Sequence, residues 1–300
     1  MRVLVTGATG MIGQDIVKLC HRHGVQVSYL TTRKSQISKD ENYLGFYWNP
    51  KTKEIDTNCF KNVDAIIHLA AATIAKRWTP CYKHEILKSR TETTKLLVNN
   101  LKGESHDIKQ VISASAIGGY PDSITNYYDE SYKIKETSFL SKVVYTWEKE
   151  VDAFKPLGIT VSKIRIGLVL SNKGGMLQEL VKPVNFGLGS AFGSGKQWQS
   201  WIHQYDLTQL IYHVLKFKLE GVYNAVAPNP VTNKELIKTT AKVLEKPFFM
   251  PNVPKFAMKL ILGKMHTLLY ESQRVSSKKI EDKGFFFKFH HIEPALFDLL

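Results

Sequence analysis

The 300-residue chain is long enough for one large α/β domain with a smaller lobe and a deep crevice. Its 43% hydrophobic and 23% charged residues exclude collagenous, low-complexity and disordered classes, and 41 Lys plus Arg against 27 Asp plus Glu, a net +14, favours acidic partners such as phosphorylated cofactors, nucleic acids or anionic lipid heads. Three cysteines (Cys20, Cys59 and Cys81) without a Cys-x-x-Cys pair exclude a disulfide framework, and with no secretory leader at the N-terminus they fit a reducing, cytoplasmic compartment.

Taken in chain order, Val3 to Val5 reads as a first strand and residues 11 to 23 as a helix. That helix carries Ile12, Ile16, Leu19 and Cys20 on one face and is stopped by Gly24. Strands follow at Val25 to Leu30, Gly45 to Trp48, Ala65 to Leu69, Val111 to Ser113 and Val161 to Ile166, with helices at 82 to 101 and 138 to 154 between them. This alternation predicts a Rossmann-type, doubly wound parallel sheet in the α/β class. Beyond residue 170 glycines crowd a loop-rich segment, followed by a helix at 206 to 217, a strand at Val222 to Ala225, helices at 232 to 245 and 254 to 270, and a short tail. The expected division is a dinucleotide-binding domain over 1–227 and a C-terminal substrate lobe over 228–300, with 171–200 contributing to the lobe. The apolar stretch Phe256 to Leu269 is too short and too charged to span a bilayer, so no membrane partner is expected. Lys234, Lys238, Lys242 and Lys246 recur every four residues opposite Leu236, Ile237, Ala241 and Leu244, a solvated helix face rather than a nucleic-acid surface.

Thr6-Gly7-Ala8-Thr9-Gly10-Met11-Ile12-Gly13 lies between the first strand and the first helix. Gly7 permits a tight turn, Gly10 lets backbone approach a pyrophosphate, and Gly13 clears the contact between helix and strand. Thr9, Met11 and Ile12 complete a helix N-terminus whose free N–H groups suit an anion. The second strand runs into Thr31-Thr32-Arg33-Lys34, with no carboxylate to accept ribose hydroxyls. Thr32 and Arg33 suit a 2′-phosphate, which favours NADP over NAD, unless the segment is only an exposed basic turn.

With those glycines, Asp64-Ala65-Ile66-Ile67-His68-Leu69-Ala70-Ala71, Ser113-Ala114-Ser115-Ala116, Trp147-Glu148, Arg165 to Leu170 and Trp201-Ile202-His203 with Asp206, the chain resembles the short-chain dehydrogenase/reductase superfamily. Gly221 to Pro228 and Gly284 to Phe287 extend the likeness to an atypical, epimerase-like extended branch with its own C-terminal domain. The resemblance implies that Leu69 and Ala70 line the nicotinamide-ribose side, that Val169 follows a strand passing the cofactor, and that Ser115 bonds the substrate oxygen unless it caps its strand. It also implies a Tyr and a Lys four residues apart on one helix, the Lys lowering the Tyr pKa. Counting back from Glu148 puts Leu140 and Val144 at those positions. Tyr145-x-x-x-Lys149 is five residues late and about 140° round the helix, a chance match. Tyr120 and Tyr145 remain as candidate acids. Where the branch has Asn-x-x-Gly-Thr, this chain has Arg90-x-x-Thr93-Thr94; Arg90 with Glu85 either contacts the cofactor and orders the cleft or forms a buried ion pair.

Gly195-Lys196 lacks the flanking residues of a P-loop, and the ten histidines show no metal-ligand spacing, so no metal is expected; His203 is read as organising a loop over the site. The leading expectation is an NADP-binding oxidoreductase or epimerase-like protein, monomeric or homodimeric, acting on a small polar or nucleotide-linked substrate. The alternative is a non-catalytic NADP(H) sensor or scaffold.

Overall fold

A computed structural model describes residues 1–103 and 105–300. In chain order the elements are β1 (Arg2–Thr6), α1 (Met11–Arg22), β2 (Gln26–Thr31), β3 (Lys39–Asp40), β4 (Tyr43–Asn49), β5 (Glu54–Ile55), β6 (Ala65–His68), α2 (Pro80–Leu101), β7 (Gln110–Ala116), β8 (Tyr127–Tyr128), α3 (Phe139–Val151), β9 (Thr160–Ile166) and β10 (Leu168–Leu170). They continue as α4 (Met176–Asn185), β11 (Trp198–Gln199), β12 (Trp201–His203), α5 (Gln204–Lys216), β13 (Gly221–Ala225), β14 (Val231–Thr232), α6 (Asn233–Val243), α7 (Lys255–Leu262), α8 (Thr267–Tyr270), β15 (Arg274–Val275), α9 (Lys278–Glu281) and α10 (Ile292–Leu299).

The main sheet runs β13-β9-β7-β6-β1-β2-β4-β3, parallel except that β3 and β5 pair antiparallel with β4 at one edge. The central strands are hydrophobic on both faces, as a sheet covered on both sides requires: Val3, Leu4, Val5, Ile66 and Ile67 are all fully buried. One apolar layer joins β1 to α1 and α5, the other joins it to α2, α3 and the Trp48–Phe60 region. Chain order reverses at β1, which pairs β2 on one side and β6 on the other, and a crevice opens there beyond the carboxyl ends of the strands. The architecture is α/β and Rossmann-like.

Helix starts differ in a way that matters for function. Thr79, Ser138 and Thr232 each offer a side-chain oxygen to a first-turn N–H of α2, α3 and α6, whereas α1 begins at Gly10 with no side-chain cap. The first-turn amides of α1 are left for another acceptor.

A third apolar cluster forms the lobe: Leu177, Leu180 and Val184 of α4, Leu236, Ile237 and Ala241 of α6, and Ile292, Ala295 and Leu296 of α10. The chain then returns to the main sheet, where Ile280, Phe285 and Phe287 pack in the α1–α5 layer. Two expectations need correction. The segment after residue 170 contains α4, whose Leu177, Leu180 and Val184 face the core despite Gly174-Gly175 and Pro183. The stretch 254–270 is two helices, because Gly263 turns to φ 58 between them. The short tail, given no element from sequence, contains α10.

Candidate functional site

The turn after β1 is built by three glycines at contact distance. Gly7 adopts φ 75, and a Cβ there would stand 3.1 Å from the Ala70 nitrogen; a Cβ on Gly13 would stand 2.1 Å from the Gly7 oxygen, which no side chain survives. Gly10 N donates to Gly7 O at 2.9 Å, closing the turn. Thr9 is exposed beside it and Met11 and Ile12 are half-buried at the helix start. A cradle with a free helix N-terminus and no room for Cβ atoms suits a pyrophosphate. Beyond β2, Thr32 and Arg33 are exposed; Arg33 N donates to Thr31 Oγ1 at 3.1 Å, while the Arg33 guanidinium has no ion-pair partner among the described residues.

Behind the turn a buried polar chain links the first strand to α2. Thr6 Oγ1 accepts from Leu69 N and Ala70 N, both at 3.1 Å, so its own proton goes to His68 Nδ1 at 2.8 Å. That fixes the His68 tautomer with hydrogen on Nε2, which donates to Thr94 Oγ1 at 3.1 Å, and Thr94 donates to Arg90 O at 2.8 Å. Burial lowers the His68 pKa to about 4, so the ring is neutral throughout the physiological range. Leu69 and Ala70 thus stand directly beneath Gly7, their amides already spent.

From Met11 and Val169 a cavity of about 1080 Å³ runs across the carboxyl ends of the strands into the lobe. Its near wall carries Ala116, Ile117, Leu140, Val143, Val144, Trp147 and Arg90; its far wall is largely aliphatic from α4, α7 and α8, with Phe192 and Trp198 from the segment after α4. Leu140 and Val144 face the cavity, so the two positions where the resemblance implies a Tyr and a Lys belong to this wall, but with hydrocarbon side chains.

The candidate hydroxyls lie elsewhere. Ser115 Oγ donates to Glu148 Oε1 at 2.7 Å; Glu148 receives Arg165 through Nε at 2.8 Å and Nη2 at 3.0 Å; Arg165 Nη1 donates to Tyr120 Oη at 3.0 Å; and Tyr120 donates to Asn224 Oδ1 at 2.8 Å. Burial pushes the Tyr120 hydroxyl up to about 12, even though Arg165 favours its ionisation, and Tyr120 is not among the residues lining the cavity. Tyr145 points away on the outer face of α3, 42% exposed. Neither tyrosine therefore meets a molecule in the cavity, since one is enclosed in a satisfied network and the other faces solvent. Glu85 does not reach Arg90; it sits 3.9 Å from Lys51 Nζ, so no buried Glu85–Arg90 ion pair exists.

Arg90 is 8% exposed. Its Nη1 donates to Ile86 O at 2.8 Å and Ala72 O at 3.3 Å, and its guanidinium lies 5.0 Å over the Trp147 ring. Burial lowers its pKa to about 10, leaving it charged. The sequence reading missed Glu271, which comes from the segment between α8 and β15 and lines the cavity. Burial, with Asp122 nearby, raises its carboxyl to about 7. No motif surrounds Glu271, and only the folding of the lobe over the sheet brings it there.

His203 has a different task from the one expected. Its Nδ1 accepts from Tyr205 N at 3.0 Å at the start of α5, its ring stacks 4.0 Å from Phe289, and Asp206 accepts from Lys288 N and Phe289 N, both at 2.9 Å. Together they fasten the C-terminal tail instead of a loop over the cavity. Among the described residues no group of three or more His, Cys, Asp or Glu is placed to hold a metal, and no helix is long and apolar enough to cross a membrane.

A parallel sheet with an uncapped glycine turn at its switch point defines a nucleotide-binding class of α/β protein. The model of the NAD dependent epimerase/dehydratase family matches residues 3–225, and a domain of unknown function, DUF1731, matches 253–299. The chain belongs to the NAD dependent epimerase/dehydratase family. It is 37% identical to an epimerase family protein of Staphylococcus aureus, over 99% of this chain and 98% of that one. Among solved structures, human epimerase family protein SDR39U1 with NADPH aligns at a TM-score of 0.86 and 28% identity, covering 100% of this chain and 99% of the other. A nucleoside-diphosphate sugar epimerase from Corynebacterium glutamicum aligns at 0.77 and 26% identity, covering 99% of this chain and 57% of that one.

Proposed function

We propose that the protein binds NADP(H) across the switch point and exchanges hydride with a substrate held in the lobe cavity. The observation that carries this reading is the uncapped start of α1 behind Gly7, Gly10 and Gly13, with Arg33 free at the end of β2 and no carboxylate from Thr31 to Ser38. The Met11, Ile12 and Gly13 amides hold the pyrophosphate; Thr32 and Arg33 hold the 2′-phosphate, which selects NADP over NAD. The NADPH in the structure of SDR39U1 supports the same preference. Once bound, the nicotinamide supplies a hydride donor or acceptor. Val169 and the near wall exclude water from it, and Glu271 is the titratable group on the cavity wall suited to exchanging a proton near neutral pH.

Calorimetric titration with NADPH and NADH tests the reading. NADPH binds the wild type more tightly, and Arg33→Gln loses about tenfold for NADPH while leaving NADH unchanged. Absence of heat with both nucleotides overturns it. A second reading, a non-catalytic NADP(H) sensor, draws on Leu140 and Val144 standing where the proton-transfer pair is expected. Single-turnover nicotinamide absorbance separates the two: a change on adding substrates supports hydride exchange, and none across aldehydes, ketones and sugar nucleotides despite tight NADPH binding favours the sensor.

A further inference from the structure

Three Lys or Arg side chains are buried among the described residues, Arg90, Lys163 and Arg165, and two of them have acids. Lys163 meets Asp152 at 2.8 Å and Arg165 grips Glu148. Arg90 has none: the nearby carboxylate Glu85 turns to Lys51, and only Nη1 of the guanidinium is bonded, to two backbone carbonyls. Nε and Nη2, the edge that fits a carboxylate with two parallel hydrogen bonds, have no partner among the described residues. Trp147 Nε1, in the ring against which Arg90 stacks, is buried without an acceptor among the described residues. Trp147 Nε1 is sealed beneath the wall, so it is the open Nε–Nη2 edge of Arg90, a residue lining the cavity, that marks a place where a ligand brings acceptors. An uncompensated buried charge costs several kcal/mol, which a role in packing alone does not require, because a methionine would fill the same space.

The rest of the cavity limits what else that ligand contains. Beyond Arg90 the walls are mostly apolar, with Leu180, Val184, Phe192, Met258, Leu262 and Leu268, while the polar side chains on them, Glu271 among them, are a minority. Sugar hydroxyls buried against such a surface would lose their water without replacement. An apolar body gains about 25 cal/mol for each Å² it removes from water there.

We infer that Arg90 is the substrate-recognition residue and that the substrate is an amphipathic carboxylate, its head on the Nε–Nη2 edge and its apolar body in the lobe. This rests on the reading of the cavity as the substrate site and replaces the polar or nucleotide-linked substrate expected from sequence. In this arrangement Arg90 contributes nothing to cofactor affinity, so cofactor and substrate recognition are separable.

Intrinsic tryptophan fluorescence of the full chain, with and without saturating NADPH, is titrated with dodecanoate, dodecanol and UDP-glucose. The expected result is dodecanoate binding at least about tenfold more tightly than dodecanol, with UDP-glucose weakest. Arg90→Met abolishes the preference for the acid, Arg90→Lys keeps part of it, and both bind NADPH within about twofold of wild type; Arg90→Gln replaces Arg90→Met where circular dichroism shows the latter unfolded. Equal binding of dodecanoate and dodecanol by the wild type overturns the inference, as does tight binding of UDP-glucose alone. A loss of NADPH affinity in Arg90→Met that matches the loss for dodecanoate also overturns it, by making Arg90 a cofactor ligand. If the wild type binds no NADPH yet prefers dodecanoate, the cofactor reading fails and the substrate inference stands.

Discussion

Two regions on either side of Trp147 treat a buried guanidinium in opposite ways. Behind the near wall, Arg165 is 4% exposed and every polar neighbour is answered: Glu148 takes two of its donors, Tyr120 a third, and Ser115 and Asn224 complete the network. In the wall itself, Arg90 is buried nearly as deeply and has no acid. Burial would lower the Arg165 pKa, but the Glu148 contacts more than offset it and the result is raised; at Arg90 burial wins and the pKa falls. The first arrangement holds a fold together. The second leaves binding capacity unused until a ligand arrives, so the state of the partners, rather than the depth of burial, separates a structural charge from a recognition charge.

That contrast can be broken by substitution. Arg165→Met leaves Glu148 buried without its cation and is expected to cost about 3–5 kcal/mol in urea melts. A cost below about 1 kcal/mol would erase the distinction. On the satisfied side, His68 is held neutral with its folded pKa at about 4, below the ordinary histidine value of 6.5. The unfolded chain takes up that proton first, so stability present above pH 6.5 is lost as pH falls towards 4, by about 3 kcal/mol. His203, also lowered to about 4, adds to the same acid limb, and His68→Asn should flatten it measurably in melts at stepped pH.

On the unsatisfied side the sign reverses. Glu271 has a folded pKa of about 7 against the ordinary glutamate value of 4.5, so its contribution is present below pH 4.5 and lost as pH rises through 7. Glu271→Gln removes that slope and gains on the order of 1–2 kcal/mol over wild type above pH 7, after allowance for partial exposure. Parallel slopes for the two proteins would show that Glu271 ionises normally. Arg90→Met, unlike Arg165→Met, should leave ligand-free stability within about 1 kcal/mol of wild type or raise it. Tyr145→Phe, the smallest change, should move stability by less than about 0.5 kcal/mol and leave NADPH binding unchanged, because the hydroxyl faces solvent.

Local rules reached the cofactor half of the molecule because its requirements are local. Gly7, Gly10 and Gly13 sit within one turn, and each is demanded by a contact inside that turn or with the adjacent strand; the end of β2 is legible from four consecutive residues. The same rules failed over α4 and α7. Glycines on either side of α4 read as loop signals, yet burial of Leu177, Leu180 and Val184 decided for helix, and a single positive φ at Gly263 divided what periodicity had joined. Tyr120 remained a candidate acid once Leu140 and Val144 stood at the expected Tyr and Lys positions, and tertiary hydrogen bonds consumed both its hydroxyl and that of Ser115.

By itself, the sequence determined an α/β fold with its nucleotide-type turn, since strand periodicity, helix caps and glycine spacing act over a few residues. It also put Leu140 and Val144 at the two positions of α3 where the family resemblance implies a Tyr and a Lys, with Tyr145-x-x-x-Lys149 on another face of that helix. Tertiary structure alone decided that Leu140 and Val144 border an apolar cavity, that Arg90 is buried beside it without an acid, and that Glu271 arrives from almost two hundred residues away in the chain. Electrostatic partnership is a property of atoms a few ångströms apart, and which atoms meet at that range is fixed only when the lobe closes over the sheet.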